Sequence, residues 1–143
     1  MITEVVRFKR EHLAILHEQK ITASVGLTKE QLEWYENHPW TITLKVNGEV
    51  LLCGGIFPHW EGRGEAWAVV SENAAKHVIA VHKAALRLLD LAQCTLPRLE
   101  AVVEAGHTKA ENWVQLLGFV CEAPRLVKYF PGQKDGALYA RVR

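Results

Sequence analysis

Residues 104–119 read EAGHTKAENWVQLLGF. The run just before, RLEAVVEA over 98–105, is apolar enough for a buried strand. A short helix is predicted from about Lys109 to Leu117, and Gly118 followed by Phe119 marks its end.

Upstream, Pro97 closes a long helix that Ser71 can cap. In that helix Val78, Val81, Ala85, Leu89 and Ala92 form an apolar stripe, opposed by Lys76, Lys83, Arg87 and Asp90. A strand over Glu65–Val70 precedes it, after a turn in PHWEGRG, so strand, crossover helix and strand predict one parallel pair. Further back, Trp40, Ile42, Leu44 and Val46 alternate with Thr41, Thr43 and Lys45; Asn47-Gly48 supplies a tight turn, and EVLLCGGIF returns as the partner strand. The amino-terminal part reads as a strand over Thr3–Phe8, a helix over Lys9–Gln19 carrying Leu13, Ile15 and Leu16, and a second helix. Thr28 and Gln31 cap that second helix as a box, and it stops before Pro39. Downstream, FVCEAPRLVKYF, PGQKDG and ALYARVR predict two final strands joined by a turn. The order is β-α-α-β-β-β-α-β-α-β-β: an α/β (α+β) chain whose sheet is mostly antiparallel, in one domain over 1–143.

Composition narrows the function. Hydrophobic residues are 49% and charged residues 23%, which is ordinary for a globular chain. Lys and Arg number 17 against 16 Asp and Glu, with the signs interspersed, so no basic stripe suggests nucleic acid. The amino terminus, MITEVVRFKREHL, has neither a secretory core nor the length of a membrane span, and a cytoplasmic location is expected. Three widely spaced cysteines, Cys53, Cys94 and Cys121, read as small buried hydrophobes in a reducing compartment. None of the seven histidines has the helical pairing or Cys/His clustering of a zinc site, so no metal is expected.

The long helix, strand, short helix and Gly-Phe ending together resemble the GNAT superfamily of acyl-CoA-dependent N-acyltransferases. The likeness spans nearly the whole chain as architecture and is concentrated in Glu65–Phe119. It implies a splayed parallel strand pair holding the pantetheine arm of the cofactor, acetyl-CoA, with the pyrophosphate at the start of the long helix. Carried over by position, it implies cofactor contacts at Val69, Val70, Ser71, Ala75, Lys76 and His77, and at Ala110 and Trp113. Ala110 and Gly118 match the family's second motif, while His107 stands at its Asn position and Val114 at its Tyr position. No glycine lies between Gly64 and Gly106, so the family's glycine-rich turn is replaced by SENAAKH, with Glu72 inside it. The pieces AWAVVS, KAALRLLD and LLGF also resemble small GNAT-like proteins of tailed phages, some of them virion-associated.

Among individual residues, Glu104 closes its strand where a carboxylate could deprotonate an amine, and His107 offers an imidazole as base or donor. Glu61 and Glu65 are further carboxylates; Tyr129 and Tyr139 are candidate replacements for the acid that Val114 cannot supply. Trp40 and Trp67 fall on strands and read as core, whereas Trp34, Trp60 and Trp113 read equally as packing or as contacts to a ligand or partner. Three functions follow as expectations. The first is acyl transfer from acyl-CoA to a small-molecule or protein amine, with Glu104 or His107 as base. The second is a catalytically inactive GNAT-shaped protein engaged with a protein partner or a phage assembly, in host cytoplasm or virion. The third is a binding module for another small molecule or peptide.

Overall fold

The computed structural model describes residues 2–18 and 28–143. Its elements are β1 Thr3–Arg7, α1 Arg10–Glu18, α2 Lys29–Asn37, β2 Thr41–Val46, β3 Glu49–Trp60, β4 Arg63–Val70, a 3₁₀ helix Glu72–His77, α3 Val78–Ala92, β5 Arg98–Glu104, α4 Thr108–Leu116, β6 Val120–Phe130 and β7 Lys134–Val142. The strand order is β1-β2-β3-β4-β5-β7-β6. β1 with β2, β2 with β3, β5 with β7 and β6 with β7 pair antiparallel, while β4 and β5 pair in parallel at Arg63–Glu65 against Arg98–Glu100. The predicted order of elements and the single parallel pair are both present. Gln19, the predicted end of the first helix, lies outside the described residues.

Two compact units divide the chain, one comprising residues 1–56 and 67–88, the other 57–66 and 89–143. In the first, the β2–β3 hairpin turns on Asn47 and Gly48 with φ of 51° and 81°, as the Asn-Gly signal requires. Thr28 and Gln31 complete the capping box of α2 reciprocally, at 3.2 and 2.8 Å. Leu13 and Leu16 of α1 are buried and Ile15 is 44% exposed, so the buried stripe is narrower than the apolar count suggested. Thr41 and Thr43 are as buried as Leu44, so both faces of β2 are covered. The stripe predicted for α3 also needs correction at one end: Val81, Leu89 and Ala92 are buried, while Val78 is 61% exposed.

In the second unit, the strand predicted from Glu65 begins at Arg63, and β3 continues through Pro58 and His59 to Trp60. The turn is therefore only Glu61-Gly62, with Gly62 at a φ of 89°. Proline's fixed φ is compatible with extended backbone, which is why Pro58 does not end the strand. The LLGF segment closes α4 as a Schellman motif: the Gly118 N–H donates to the Gln115 carbonyl and the Phe119 N–H to the Val114 carbonyl, each at 3.0 Å. Gly118 has a φ of 95°, and a Cβ there would meet Arg141 Nε at 3.1 Å. Phe119 and Val114 are both buried, supplying the motif's hydrophobic contact. Of the cysteines only Cys53 is buried; Cys94 and Cys121 are exposed, because Cys94 follows the end of α3 and Cys121 lies on the outermost strand.

Candidate functional site

In the first unit, the junction from β4 to α3 carries the residues expected to meet the cofactor. Val69 is buried, Val70 is half-buried, and Ser71 caps the 3₁₀ helix from extended backbone. Its Oγ accepts from the Asn73 N–H at 3.1 Å and its carbonyl from the Ala74 N–H at 3.0 Å. The Ser71 N–H donates to the Leu51 carbonyl of β3 at 2.8 Å, which fixes where the strand ends. Asn73 also donates through its side chain to Glu49 at 2.7 Å. Ala75 and Lys76 are exposed and His77 is half-buried. Lys76 and His77 thus present cationic or titratable groups, and Glu72 presents an exposed carboxylate in the same stretch.

In the second unit, the junction from β5 to α4 carries the candidate chemistry. Glu104 ends β5, with its side chain 45% exposed and 3.7 Å from Lys134 Nζ. His107 is the N-cap of α4, and its Nδ1 accepts from the Ala110 N–H at 3.1 Å. A nitrogen that accepts a hydrogen bond keeps its lone pair, so the neutral imidazole carries its proton on Nε2. His107 in this cap is a donor through Nε2–H, and taking up a proton at Nδ1 would break the cap. Ala110 and Trp113 are half-buried along α4, while Val114 is buried, which suits an aliphatic side chain.

Glu111, which the sequence did not single out, organises this junction. One oxygen accepts from the Gly106 N–H at 3.1 Å and the other from the Tyr139 hydroxyl at 2.8 Å, tying the turn after β5 to β7. Tyr139 is buried, and burial followed by the bond to Glu111 pushes its hydroxyl up to about 12. Its proton is committed to Glu111. Tyr129 is 49% exposed and is also held above its ordinary value, first by burial and then by the charges of Glu65 and Glu100.

The second unit also holds a ladder of charges. Arg63 grips Glu100 in a bidentate pair at 2.9 and 2.7 Å, and Arg98 bridges Glu100 at 2.7 Å to Glu122 at 3.0 and 2.6 Å. Trp60, 64% exposed, lies over the Arg63 guanidinium at 4.4 Å. The Arg63 bonds, opposed by burial and helped by Arg98, hold the Glu100 carboxyl down at about 2. His59 and Glu65 approach to 3.4 Å beside this ladder. One signal for it was available: Glu100 stands between Leu99 and Ala101 in an apolar strand, where a carboxylate needs a cationic partner. Of the five tryptophans, Trp34 and Trp60 are exposed and Trp40, Trp67 and Trp113 are half-buried; Trp67 meets Tyr35 and Phe8, as the core reading expected.

The architecture is shared with solved N-acetyltransferases over their full length. Ard1 from Thermoplasma volcanium superposes with a TM-score of 0.78 at 15% identity, covering 99% of this chain and 98% of that one. A GNAT-family acetyltransferase from Bacillus anthracis gives 0.72 at 16% identity, covering 98% and 94%. A chain of the NatC complex bound to Gag peptide and CoA gives 0.77 at 16% identity, covering 100% and 99%. In sequence, no family model and no curated protein matches the chain. The class defined is the GNAT fold: a mixed, mostly antiparallel sheet with one parallel pair and the helices in GNAT order. Among the described residues, no helix is long and apolar enough to cross a membrane.

Proposed function

We propose that this chain is an N-acyltransferase-like protein that moves an acyl group from acyl-CoA to an amine. The supporting observation is the full-length likeness to acetyltransferases, one of them bound to CoA and a peptide and others acting on spermidine. The Ser71–His77 stretch is where a donor's phosphates are tested against these residues. The Asn73 and Ala74 N–H groups already have acceptors in Ser71, so the stretch does not suit a phosphate cradled by free backbone N–H groups. It suits one met by side chains, Lys76 and His77, with Val69 and Val70 beside the acyl-bearing arm. When bound, such a donor supplies a thioester carbonyl.

The chain's own contribution lies in positioning and proton handling. Glu104, exposed at a strand end, is the base in this reading, because His107 spends its only neutral acceptor nitrogen on its cap. His107 serves as a donor through Nε2–H. Glu111 and Tyr139 position the turn that carries both. Titration calorimetry with acetyl-CoA tests the donor, and Glu104→Gln tests the base. Glu104→Gln is expected to lower kcat about 100-fold with KM for acetyl-CoA unchanged. No heat and no thermal shift at millimolar acetyl-CoA would overturn the reading. That outcome would favour a GNAT-shaped protein without transfer chemistry, such as a phage-associated or partner-binding one. The occupied N–H groups at Ser71 and the buried Val114 speak for that second reading.

A further inference from the structure

In the first unit, His12 of α1 is buried and meets Thr43 of β2. Its Nδ1 receives the Lys9 N–H at 3.2 Å and lies 2.8 Å from Thr43 Oγ1, which is itself 3.6 Å from Cys53 Sγ. The backbone contact sets the direction of the whole chain. An N–H can only donate, so Nδ1 is an acceptor and the Thr43 hydroxyl must donate to it as well. The Thr43 oxygen is then free to accept from the Cys53 thiol. Burial pushes that thiol up to about 11, so it keeps its proton.

A proton added to Nδ1 would face the Lys9 N–H, donor against donor, and would reverse the bond to Thr43. We propose that His12 is an acid-released latch, holding the start of α1 to Thr43 of β2 only while its imidazole is neutral. The charges around it favour release. Lys45 of β2 and Lys9 oppose an imidazolium, Glu11 favours it, Cys53 of β3 is neutral, and Glu36 of α2 is held by Arg10 at 2.8 and 3.1 Å. Burial, followed by Lys45, lowers the His12 pKa from its ordinary value. The open form therefore binds the proton first: the latch is intact above the ordinary histidine value and is lost as pH falls below it.

Amide hydrogen exchange of the full chain at pH 7.5 and 5.0, expressed as protection factors corrected for intrinsic rates, tests this. With an open-state pKa of about 6.5, α1 protection is expected to fall by about 3-fold to 30-fold, the upper figure being the linkage limit. His12→Asn keeps an acceptor oxygen and cannot be protonated, so its fall should shrink to less than about 2-fold over the same range. Wild-type protection that does not change, or a His12→Asn fall equal to wild type, would overturn the proposal. Should that variant not fold, the wild-type ring itself decides by NMR. Nδ1 unprotonated at neutral pH and titrating below the ordinary histidine value is expected; a protonated Nδ1, or an ordinary midpoint, overturns it.

Discussion

The two units solve the same problem, buried polar groups in a sheet, by opposite chemistry. The first runs a neutral chain from Cys53 through Thr43 to His12, and its ion pair, Arg10–Glu36, is left partly exposed with Arg10 at 40%. The second uses full charges: the Arg63–Glu100–Arg98–Glu122 ladder, with Glu100 only 9% exposed at its side chain, and the Tyr139–Glu111 bond. A neutral chain carries a small desolvation cost and depends on which atom holds each proton. An ion ladder carries a large desolvation cost and depends on keeping every partner. The difference shows in where acid should act, near the ordinary histidine range in one unit and far below it in the other.

The contrast can be broken most forcefully at Glu100. Glu100→Gln leaves Arg63 and Arg98 without their shared carboxylate and should cost about 2–3 kcal/mol in urea unfolding, less than a fully buried pair because both guanidinium groups keep access to water. A loss under about 0.5 kcal/mol would show that the ladder is solvated in practice.

Acid unfolding separates the units more finely. Glu100 sits at about 2 in the folded chain, below its unfolded value, so its contribution is present above the unfolded value and is lost as pH falls toward 2. That loss amounts to about 3 kcal/mol, and it should vanish from the pH profile of Glu100→Gln. Smaller still is Tyr139→Phe, which removes a donor to the Glu111 carboxylate and should cost about 1.5 kcal/mol. Exchange of the Gly106 amide should report it, since Glu111 holds both groups. The smallest expected effect is in the neutral unit: Ser71→Ala frees the Asn73 N–H and should cost about 1 kcal/mol, measured by thermal unfolding.

Much of the fold was legible because its signals are local. Asn47-Gly48 demands positive φ at both positions, Thr28 and Gln31 sit three apart as a capping box requires, and Gly118-Phe119 completes a Schellman ending within six residues. Errors arose where a local rule met a tertiary context. Pro58 looked like a breaker and lies in β3, and Val78 and Ile15 matched apolar stripes and are exposed. Ser71, Glu104 and His107, the candidates the sequence offers, each lie at an element boundary: Ser71 caps the 3₁₀ helix, Glu104 ends β5 and His107 caps α4. Glu111 is not legible in the same way, since nothing in ENWVQ marks it as a clamp.

The sequence by itself determined the element order, the crossover that makes β4 and β5 parallel, the box that starts α2 and the Gly-Phe ending that stops α4. Each of these depends on residues within a few positions of one another, where backbone geometry and hydrogen-bond reach are already constrained. Tertiary structure decided the protonation pattern. His12 meets Thr43 across 31 positions, Arg63 meets Glu100 across 37, and Glu111 meets Tyr139 across 28. Which atom donates and which charge survives burial follow from those meetings. Desolvation and partner geometry are properties of the folded neighbourhood, and residue type alone does not carry them.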